Sequence, residues 1–476
     1  MPSKLMKHIL FAASECTPFI KTGGLADVIG SLPEALQQSG ETEVSVILPL
    51  YHGMPETYRK ELTHCADLVV PVGWRNQEAI LHTMSRNGVT YYFIDQSFYF
   101  GRQSAYGYFD DGERYVFFSR AVIEALPHIE GRDIDILHAH DWQTGLAVAF
   151  TRILRPDIKT VFTIHNIQYQ GWMTHDAFGD LMNLGPEHFP GFEWKNMINC
   201  MKAAVFHADK ITTVSPSYAE EIKQPYYGEG LDPLLNERAM DLTGIINGID
   251  TDEYNPMKDP YLYSPFKTSR AKKKQNKTAL QKDLCLPVDP EVPVYAAISR
   301  LVDQKGFHLL ERILEEFLQE NVQFILLGTG DYQFEQSFAY LAHRYPNKMA
   351  AVLKFSEADA RRIYAASDFF IMPSKFEPCG LSQLIALQYK SIPIVRETGG
   401  LRDTVQPYDE TSGEGNGFSF ANYNAHELLY TMRYSLLVYH REELWKPLIQ
   451  NVNRSRFSWK DSAELYNGLY RELAVT

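Results

Sequence analysis

Short apolar runs that end in polar, glycine-rich stretches recur along the chain. The first such run is residues 9–13, which is followed by Glu15, Lys21 and the pair Gly23 and Gly24. A continuous apolar run of this length predicts a strand buried on both faces of a parallel sheet. Residues 25–38 carry apolar side chains at helical spacing, so a helix is expected after the glycines. The pattern therefore predicts a strand, a turn and a helix.

The same unit repeats through the first half of the chain. Ligands of open α/β sheets bind beside the carboxyl ends of the strands, which is where the polar residues of each repeat lie. Mixed segments at 67–72 and 79–84 are also expected to be strands, and 98–114 is expected to be a polar aromatic loop. The further buried strands are predicted at 44–48, 91–95, 135–139, 159–164, 208–214 and 244–246.

A basic, polar segment at 256–282 separates this series from a second one. We interpret the segment as a hinge region and the entry to a second domain, because a run of charges is usually a solvated surface. The sequence therefore predicts an α/β protein with two doubly wound domains that face each other across a deep cleft. In the second series, strands are predicted at 294–298, 323–327, 351–353, 369–372 and 392–395, a helix at 425–445 and a closing tail at 457–474.

Composition narrows the class of protein. The chain has 476 residues, of which 45% are hydrophobic and 22% charged, as in soluble globular proteins. No apolar run approaches the roughly 20 residues that span a bilayer, and residues 1–7 lack an apolar signal core, so a cytoplasmic location is expected without membrane partners. The net charge of -13 disfavours nucleic acid as a partner. Five scattered cysteines without a C-x-x-C pair argue against disulfides and structural zinc.

The first turn is a candidate phosphate site. The helix that follows it would direct its free N–H groups and positive dipole end toward a ligand beside Gly23 and Gly24, and Lys21 adds a full positive charge. An ordinary glycine turn with a solvated Lys21 is the alternative. Neither G-x-G-x-x-G nor the Walker lysine spacing is present, so both interpretations stay open.

Two histidines are the obvious candidate for a metal site. Alternation along a strand puts His138 and His140 on one face. A third ligand at suitable spacing is not evident, and buried or substrate-contacting histidines are the alternative. We expect no metal.

Two cations and a carboxylate in the second series suggest handling of a phosphorylated sugar. Arg300 and Lys305 flank a turn before a helix and could neutralise a departing diphosphate, although paired surface charges would look the same. Glu377 precedes Cys379 and Gly380 at another helix start, where its carboxylate could accept sugar hydroxyl protons or simply cap the helix. Cys379 as a nucleophile would need a base, and no histidine is visibly placed to serve it.

Seven motifs taken together resemble one family. They are KTGGLADV (21–28), HAHDWQTGL (138–146), HN (165–166), INGID (246–250), SRLVDQKG (299–306), EPCGL (377–381) and TGGLRDTV (398–405). This set is similar to that of the bacterial glycogen synthases and the related plant starch synthases, retaining glucosyltransferases of the GT-B class with two Rossmann-like domains. The matches span essentially the whole chain in family order.

The resemblance implies transfer of glucose from ADP-glucose to the non-reducing 4-hydroxyl of an α-1,4-glucan, either glycogen or a maltooligosaccharide, without a metal or cofactor. Residues 1–250 would form the acceptor domain, 251–455 the donor domain, and 456–476 a helix that packs back on the first. The residues carried over as catalytic are Glu377, His165, Arg300 and Lys305. Those carried over for substrate binding are Lys21, Gly24, Asp27, Asn166, Asn247, Phe355, Cys379, Gly380, Leu381, Thr398 and Gly399. Acceptor placement or support would fall to Glu15, Tyr99, His140 and Asp141.

Three departures from the family pattern bear on the donor. Ile385 stands where many retaining transferases carry a second Glu, Lys354–Phe355 replaces Gly-Tyr, and Lys375 replaces Arg. Phe355 can stack on a base but lacks the tyrosine hydroxyl. Two alternatives therefore accompany the main expectation: a related transferase that uses UDP-glucose or another acceptor, and a catalytically silent glucan-binding protein.

Overall fold

The computed structural model describes residues 7–131 and 133–473. Residues 1–6, which belong to the stretch without a signal core, lie outside the described part, as do residue 132 and residues 474–476 at the end of the predicted tail. The chain divides into two compact units. Unit 1 comprises Met1–Asn247 and Trp459–Thr476, and unit 2 comprises Gly248–Ser458. In the part that the structure describes, no helix is long and apolar enough to cross a membrane.

The strands of unit 1 form one large sheet and one small one. In chain order they are β1 (Lys7–Ala12), β2 (Thr42–Pro49), β3 (Thr63–Val72), β4 (Arg75–Arg86), β5 (Val89–Asp95), β6 (Ile136–His140), β7 (Lys159–Ile164), β8 (Trp172–Met173), β9 (Glu193–Trp194), β10 (Met197–Asn199), β11 (Lys210–Thr213) and β12 (Leu242–Gly244). Among the described residues the large sheet has nine strands in the order β12-β11-β7-β6-β1-β2-β5-β4-β3. Its strands from β12 to β5 are parallel, whereas β4 and β3 add an antiparallel edge.

Helices connect these strands. They are α1 (Gly24–Ser39), α2 (Glu56–Arg59), α3 (Ser97–Phe100), α4 (Asp111–Ala125), α5 (Trp142–Leu154), α6 (Ala177–Leu181), α7 (Phe189–Phe192), α8 (Cys200–His207), α9 (Pro216–Glu221) and α10 (Asp232–Glu237).

The core lies on both faces of the large sheet. In β1, Leu10 and Ala12 enter one apolar cluster while Ile9 and Phe11 enter another. This double burial is what a continuous apolar strand requires.

Unit 2 is built on a parallel sheet. Its strands are β13 (Val294–Ile298), β14 (Gln323–Leu327), β15 (Met349–Val352), β16 (Phe369–Met372), β17 (Ile392–Arg396) and β18 (Phe418–Phe420). Within the described residues the order is β15-β14-β13-β16-β17-β18, and every neighbouring pair is parallel. In β13, Tyr295 and Ala297 face one cluster while Val294 and Ala296 face the other.

The helices of unit 2 are α11 (Arg270–Asp283), α12 (Phe307–Phe317), α13 (Tyr332–Arg344), α14 (Glu357–Ala366), α15 (Ser382–Gln388), α16 (Gly399–Thr404), α17 (Ala425–Tyr439) and α18 (Glu442–Arg454). The predicted α/β class with parallel sheets is confirmed.

The last helix, α19 (Trp459–Leu473), belongs to unit 1. Its apolar side chains recur at helical spacing and join Ile29 and Leu32 of α1 in one cluster, Trp459, Ala463, Tyr466, Tyr470 and Leu473 among them. Helix α19 therefore completes a core that begins at the other end of the sequence.

Several predicted elements need correction. The loop expected at 98–114 contains most of α3 and the first turn of α4, because the buried Arg114 guanidinium donates to the backbone oxygens of Tyr99 and Ala105 and orders the segment. The helix expected at 425–445 is two helices, since Arg441 has extended backbone and immediately precedes α18. The strand expected at 244–246 lies at Leu242–Gly244.

The basic segment is not simply a solvated surface. Lys273 donates to the carbonyl oxygens of Tyr364 and Ala365, at or next to the carboxyl end of α14. Lys277 is buried, and its ammonium lies 2.6 Å from the carboxylate of Asp368. These two ammonium groups lie within unit 2, where they satisfy backbone carbonyls and a buried carboxylate.

Candidate active site

A buried carboxylate organises the turn after β1. Glu15 is 3% exposed, and its Oε2 accepts hydrogen bonds from the amides of Thr22 at 2.5 Å and Gly23 at 3.2 Å. Burial raises the pKa of Glu15, while these two amides act in the opposite direction. The turn is thus held from inside by a side chain placed immediately after the strand.

Lys21 and Asp27 form an ion pair at the start of α1. The Lys21 ammonium lies 2.7 Å from Oδ1 of Asp27, and about half of the Lys21 side chain is exposed. Helix α1 begins at Gly24 after an extended Gly23, which has no side chain to cap it. A positive charge and helical N–H groups are therefore presented together, as an anion site requires.

The carboxyl ends of β6 and β7 bring Asp141, His165 and Asn166 together. These strands are parallel neighbours, with His140 opposite Thr163. Oδ1 of Asp141 accepts the amide N–H of His165 at 2.7 Å and that of Asn166 at 3.4 Å. Burial raises the pKa of Asp141 to about 7. Asp141 also has φ 59° and ψ 178°, a strained conformation for a non-glycine residue of the kind found at functional sites.

The histidines considered as metal ligands are engaged with other partners. His138 contacts the hydroxyls of Tyr470 and Thr163 through its two ring nitrogens, at 2.7 and 2.6 Å. His140 stacks on His138 with ring centroids 4.3 Å apart and contacts His165. Across residues 7–131 and 133–473, no group of three or more His, Cys, Asp or Glu side chains is arranged to hold a metal ion.

Two other predicted residues of unit 1 have contrasting environments. Tyr99 is fully buried, stacks on Phe117 and donates its hydroxyl to Glu113 at 2.7 Å. Two roles were considered for it, acceptor placement and support, and its burial favours support. Asn247 is 5% exposed, and its Oδ1 has no hydrogen-bond partner among the described residues. A buried amide oxygen without a partner is costly, so Asn247 is a good candidate for a ligand contact.

In unit 2, Lys305 and Glu377 form a partly buried pair. The Lys305 ammonium lies 2.7 Å from Oε2 of Glu377, which also accepts the Ser374 hydroxyl at 3.0 Å. Lys305 ends a 3-10 turn, and Gly306 follows with φ 75° at the start of α12. A Cβ on Gly306 would lie 1.9 Å from the carbonyl oxygen of Pro373, so glycine is needed for this close approach.

The two glycine-containing motifs of unit 2 are packed against each other. A Cβ on Gly399, which has φ 45°, would lie 2.0 Å from the backbone oxygen of Glu377, and the Gly400 amide donates to that oxygen at 3.1 Å. Gly380 also has a positive φ, of 74°, and Leu381 precedes α15. Cys379 and Thr398 are buried in this contact region. The segments at 377–381 and 398–400 are therefore packed backbone against backbone.

Two predicted donor residues of unit 2 are exposed. Arg300 lies just after β13. Phe355 lies between β15 and α14 and is 90% exposed. Beside it, the Lys354 ammonium pairs with Asp359 at 2.7 Å.

Two contributors were missed by the sequence reasoning. Ser374 was given no role, although a hydroxyl three residues before the Glu377 carboxylate was a usable signal. Tyr470 contacts His138 from 332 residues away, and no local pattern indicates that contact.

Parallel sheets with cations and buried polar groups at the strand ends are what a nucleotide-sugar transferase of the GT-B class provides. Residues 8–237 match the family model described as starch synthase catalytic domain, and residues 286–446 match that of glycosyl transferases group 1. The chain is 56% identical to a glycogen synthase of Oceanobacillus iheyensis over 98% of each chain, and 50% identical to one of Exiguobacterium sibiricum over 98% of this chain and 99% of the relative.

A solved structure agrees with the sequence relatives. The catalytic domain of starch synthase IV from Arabidopsis thaliana, bound to ADP and acarbose, superposes with a TM-score of 0.89 at 34% identity, covering 99% of this chain and all of that one. The chain belongs to the glycogen synthase and starch synthase family of glucosyltransferases. The predicted family, GT-B class and enzymatic function are confirmed.

Proposed function

We propose that the chain transfers glucose from ADP-glucose to the non-reducing 4-hydroxyl of an α-1,4-glucan, with retention of configuration and release of ADP. The observation that carries this proposal is the buried Glu377, whose carboxylate is held by Lys305 and Ser374 and whose backbone oxygen packs against Gly399. A cation beside a carboxylate in such a backbone cradle suits a sugar diphosphate, because the cation can take phosphate and the carboxylate can take sugar hydroxyls.

The proposal gives the donor to the residues of unit 2. Arg300 and Lys305 neutralise the diphosphate as negative charge develops on the leaving group. Glu377 accepts hydroxyl protons of the glucose, while backbone groups of Cys379, Gly380 and Leu381 and the turn at 398–399 line the sugar. The exposed ring of Phe355 offers a face on which a base can stack.

The proposal gives further roles to residues of unit 1, which is also the acceptor domain. Lys21 and the Gly24 amide contact donor phosphate, and Asp27 and Asn247 contact sugar hydroxyls. His165 and Asn166 lie beside the anomeric carbon. Glu15, Tyr99, His140 and Asp141 support these groups or place the acceptor.

The chemistry requires no separate protein base. Glycosyl transfer passes through an oxocarbenium-like state, in which the bond from the anomeric carbon to the phosphate oxygen breaks as the acceptor oxygen bonds on the same face. The departing phosphate oxygen takes the proton of the acceptor hydroxyl. The protein stabilises the leaving group and excludes water, which would otherwise compete with the glucan.

Product analysis tests the proposal directly. The protein is incubated with a maltooligosaccharide of one length and either ADP-glucose or UDP-glucose, and the products are separated by size and digested with an enzyme specific for α-1,4 bonds. Stepwise extension from ADP-glucose is expected, unaffected by a chelator. Extension from UDP-glucose alone would instead support the related transferase.

Two variants address the catalytically silent alternative. Lys305→Ala and Glu377→Ala should abolish most of the extension while glucan binding persists. If the wild-type protein binds glucan but neither donor extends it, the chain is a glucan-binding protein.

We also propose a cytoplasmic location, with ADP-glucose and the glucan as partners and without nucleic acid or membrane partners. The net charge of -13 supports the exclusion of nucleic acid, because an acidic chain does not neutralise phosphates. Secretion of the active protein by cells that make it would contradict this location.

A further inference from the structure

Two histidine rings of unit 1 share one hydrogen bond. Nδ1 of His140 lies 2.9 Å from Nε2 of His165, and the ring centroids are 5.2 Å apart. The contact arises because β6 and β7 are neighbouring parallel strands that end beside each other. A neutral imidazole has one N–H and one bare nitrogen, so a hydrogen bond between two of them needs a single proton between the rings.

The ring of His140 is enclosed by apolar and aromatic contacts. It is fully buried and packs against Phe11, at 5.2 Å and 19°, and His138, at 4.3 Å and 26°, which also contact each other. Its Nε2 has no hydrogen-bond partner among the described residues. The neighbours thus fix the plane of the His140 ring and leave only Nδ1 to interact.

Counting protons shows what this arrangement does to His165. If the pair gains a proton, every ring nitrogen outside the shared hydrogen bond must carry one. Nε2 of His140 would then be an N–H group buried without an acceptor, whichever ring is taken to hold the charge. A buried donor without a partner costs free energy, so the protonated pair is disfavoured in every arrangement. Burial of the His165 ring itself also disfavours its charged form and lowers the pKa of His165 to about 3.

We propose that His140 is a positioning residue that holds the imidazole of His165 neutral and in one orientation through the hydrogen bond between Nδ1 and Nε2. This inference rests on the proposed function, in which His165 lies beside the anomeric carbon. Positive charge develops there in the transition state, and an imidazolium would oppose it.

Other titratable groups surround the pair and must be separated from it in any experiment. The Asp141 carboxylate accepts the backbone N–H of His165, so its titration would move that backbone rather than the ring. These groups include His138 on β6, Asp141 just after it, Glu15 after β1, Tyr106, Tyr218 on α9 and Tyr470 on α19.

The test combines two substitutions of His140 with a matched control. His140→Leu removes the ring nitrogen, whereas His140→Asn retains an amide close to the position of Nδ1 that can donate or accept. His8→Leu is the control, because His8 is also fully buried and lies on the adjacent strand β1, where its Nε2 contacts Ser45 at 2.9 Å.

Kinetics give the first readout. His140→Leu should lower kcat about 10²-fold, the scale of a misplaced group in an active site, with the donor KM within about twofold of wild type. His140→Asn should recover a large part of the loss, and His8→Leu should keep the wild-type kcat. An unchanged kcat in a folded His140→Leu protein would overturn the proposal.

The second readout requires no turnover. In protein labelled with 15N-histidine, the ring signals of His165 are assigned by their disappearance in His165→Gln. His165 should stay neutral at pH 5.5 in the wild type, with its proton on Nδ1 because Nε2 accepts from His140, whereas in His140→Leu its ring nitrogen signals should show a mixture of the two neutral tautomers. If His140→Leu does not fold, the wild-type and His140→Asn spectra decide, since a charged His165 at pH 5.5 in both would overturn the proposal.

The two readouts also separate this inference from the proposed function. If the wild-type protein transfers no glucose, the proposed function fails, and the spectra alone decide the state of the histidine pair.

Discussion

Replacement of Asp141 by Asn should stabilise the protein in alkaline buffer and leave its stability nearly unchanged in acid. Burial raises the pKa of Asp141 from 3.8 to about 7, so the folded protein binds this proton more tightly than the unfolded chain does. Between these two pKa values, stability contributed by Asp141 falls as the pH rises, and the loss is complete above pH 7. Asn resembles the protonated acid and keeps the oxygen that accepts the amides of His165 and Asn166.

The size of the effect follows from the same shift. A difference of about three pKa units corresponds to about 4 kcal/mol, and the intermediate exposure of Asp141 reduces the expectation to about 2 kcal/mol at pH 8. In a unit of this size, that amount corresponds to roughly 4–8 °C in Tm.

The assay is thermal unfolding of wild type and Asp141→Asn at pH 5, 6, 7 and 8. Glu15 is also buried with a raised pKa, but it is present in both proteins and largely cancels in the difference. The Tm advantage of the variant should grow from about a third of its maximum at pH 5 to its full size at pH 8, because pH 5 already lies above the unfolded pKa of 3.8. An advantage of equal size at every pH, or a lower Tm at pH 8, would refute the reasoning.

Three other substitutions test separate contacts. Glu377→Ala should lower kcat about 10²-fold, the scale of one lost transition-state contact, and turnover close to wild type would contradict the sugar role. Lys21→Ala should mainly raise the donor KM, which saturation curves at fixed glucan would show, and an unchanged KM would count against the phosphate role. Lys277→Met should lower the free energy of unfolding by about 3 kcal/mol in urea titrations, because Asp368 is left buried and charged, whereas the exposed Lys272→Met is its control.

The elements of this fold could be predicted where one local pattern determined them. Apolar runs such as 9–13 and 294–298 are strands because burial on both faces requires continuous hydrophobicity. The break between α17 and α18 was missed, although the polar run at 440–443 interrupts the apolar spacing and Glu442 and Glu443 are typical of a first helical turn. The contacts of the partly buried Lys273 and the buried Lys277 were missed because a charge run gives no sign of which ammonium groups will meet backbone carbonyls or a buried carboxylate.

The candidate site was predictable to the extent that it lies at strand ends. Asp141 and His165 follow neighbouring strands, so their proximity follows from a parallel sheet. The pairing of Lys305 with Glu377, and the packing of Gly399 on the Glu377 backbone, join segments that only the tertiary fold brings together. The fully buried ring of Tyr99 was not foreseen, because an aromatic residue in a polar segment has no local pattern that distinguishes a packed ring from an exposed one.

Helix α19 has a consequence for the order in which the protein forms during synthesis. Unit 1 begins at the amino end, yet Trp459, Tyr466 and Tyr470 belong to its core and leave the ribosome only after all of unit 2. Until then Ile29 and Leu32 of α1 lack the apolar side chains of α19, and the His138 ring lacks the Tyr470 hydroxyl. A nascent chain that stops before Trp459 therefore carries a finished second unit and an unfinished first one, which makes it a natural target for chaperones and proteases.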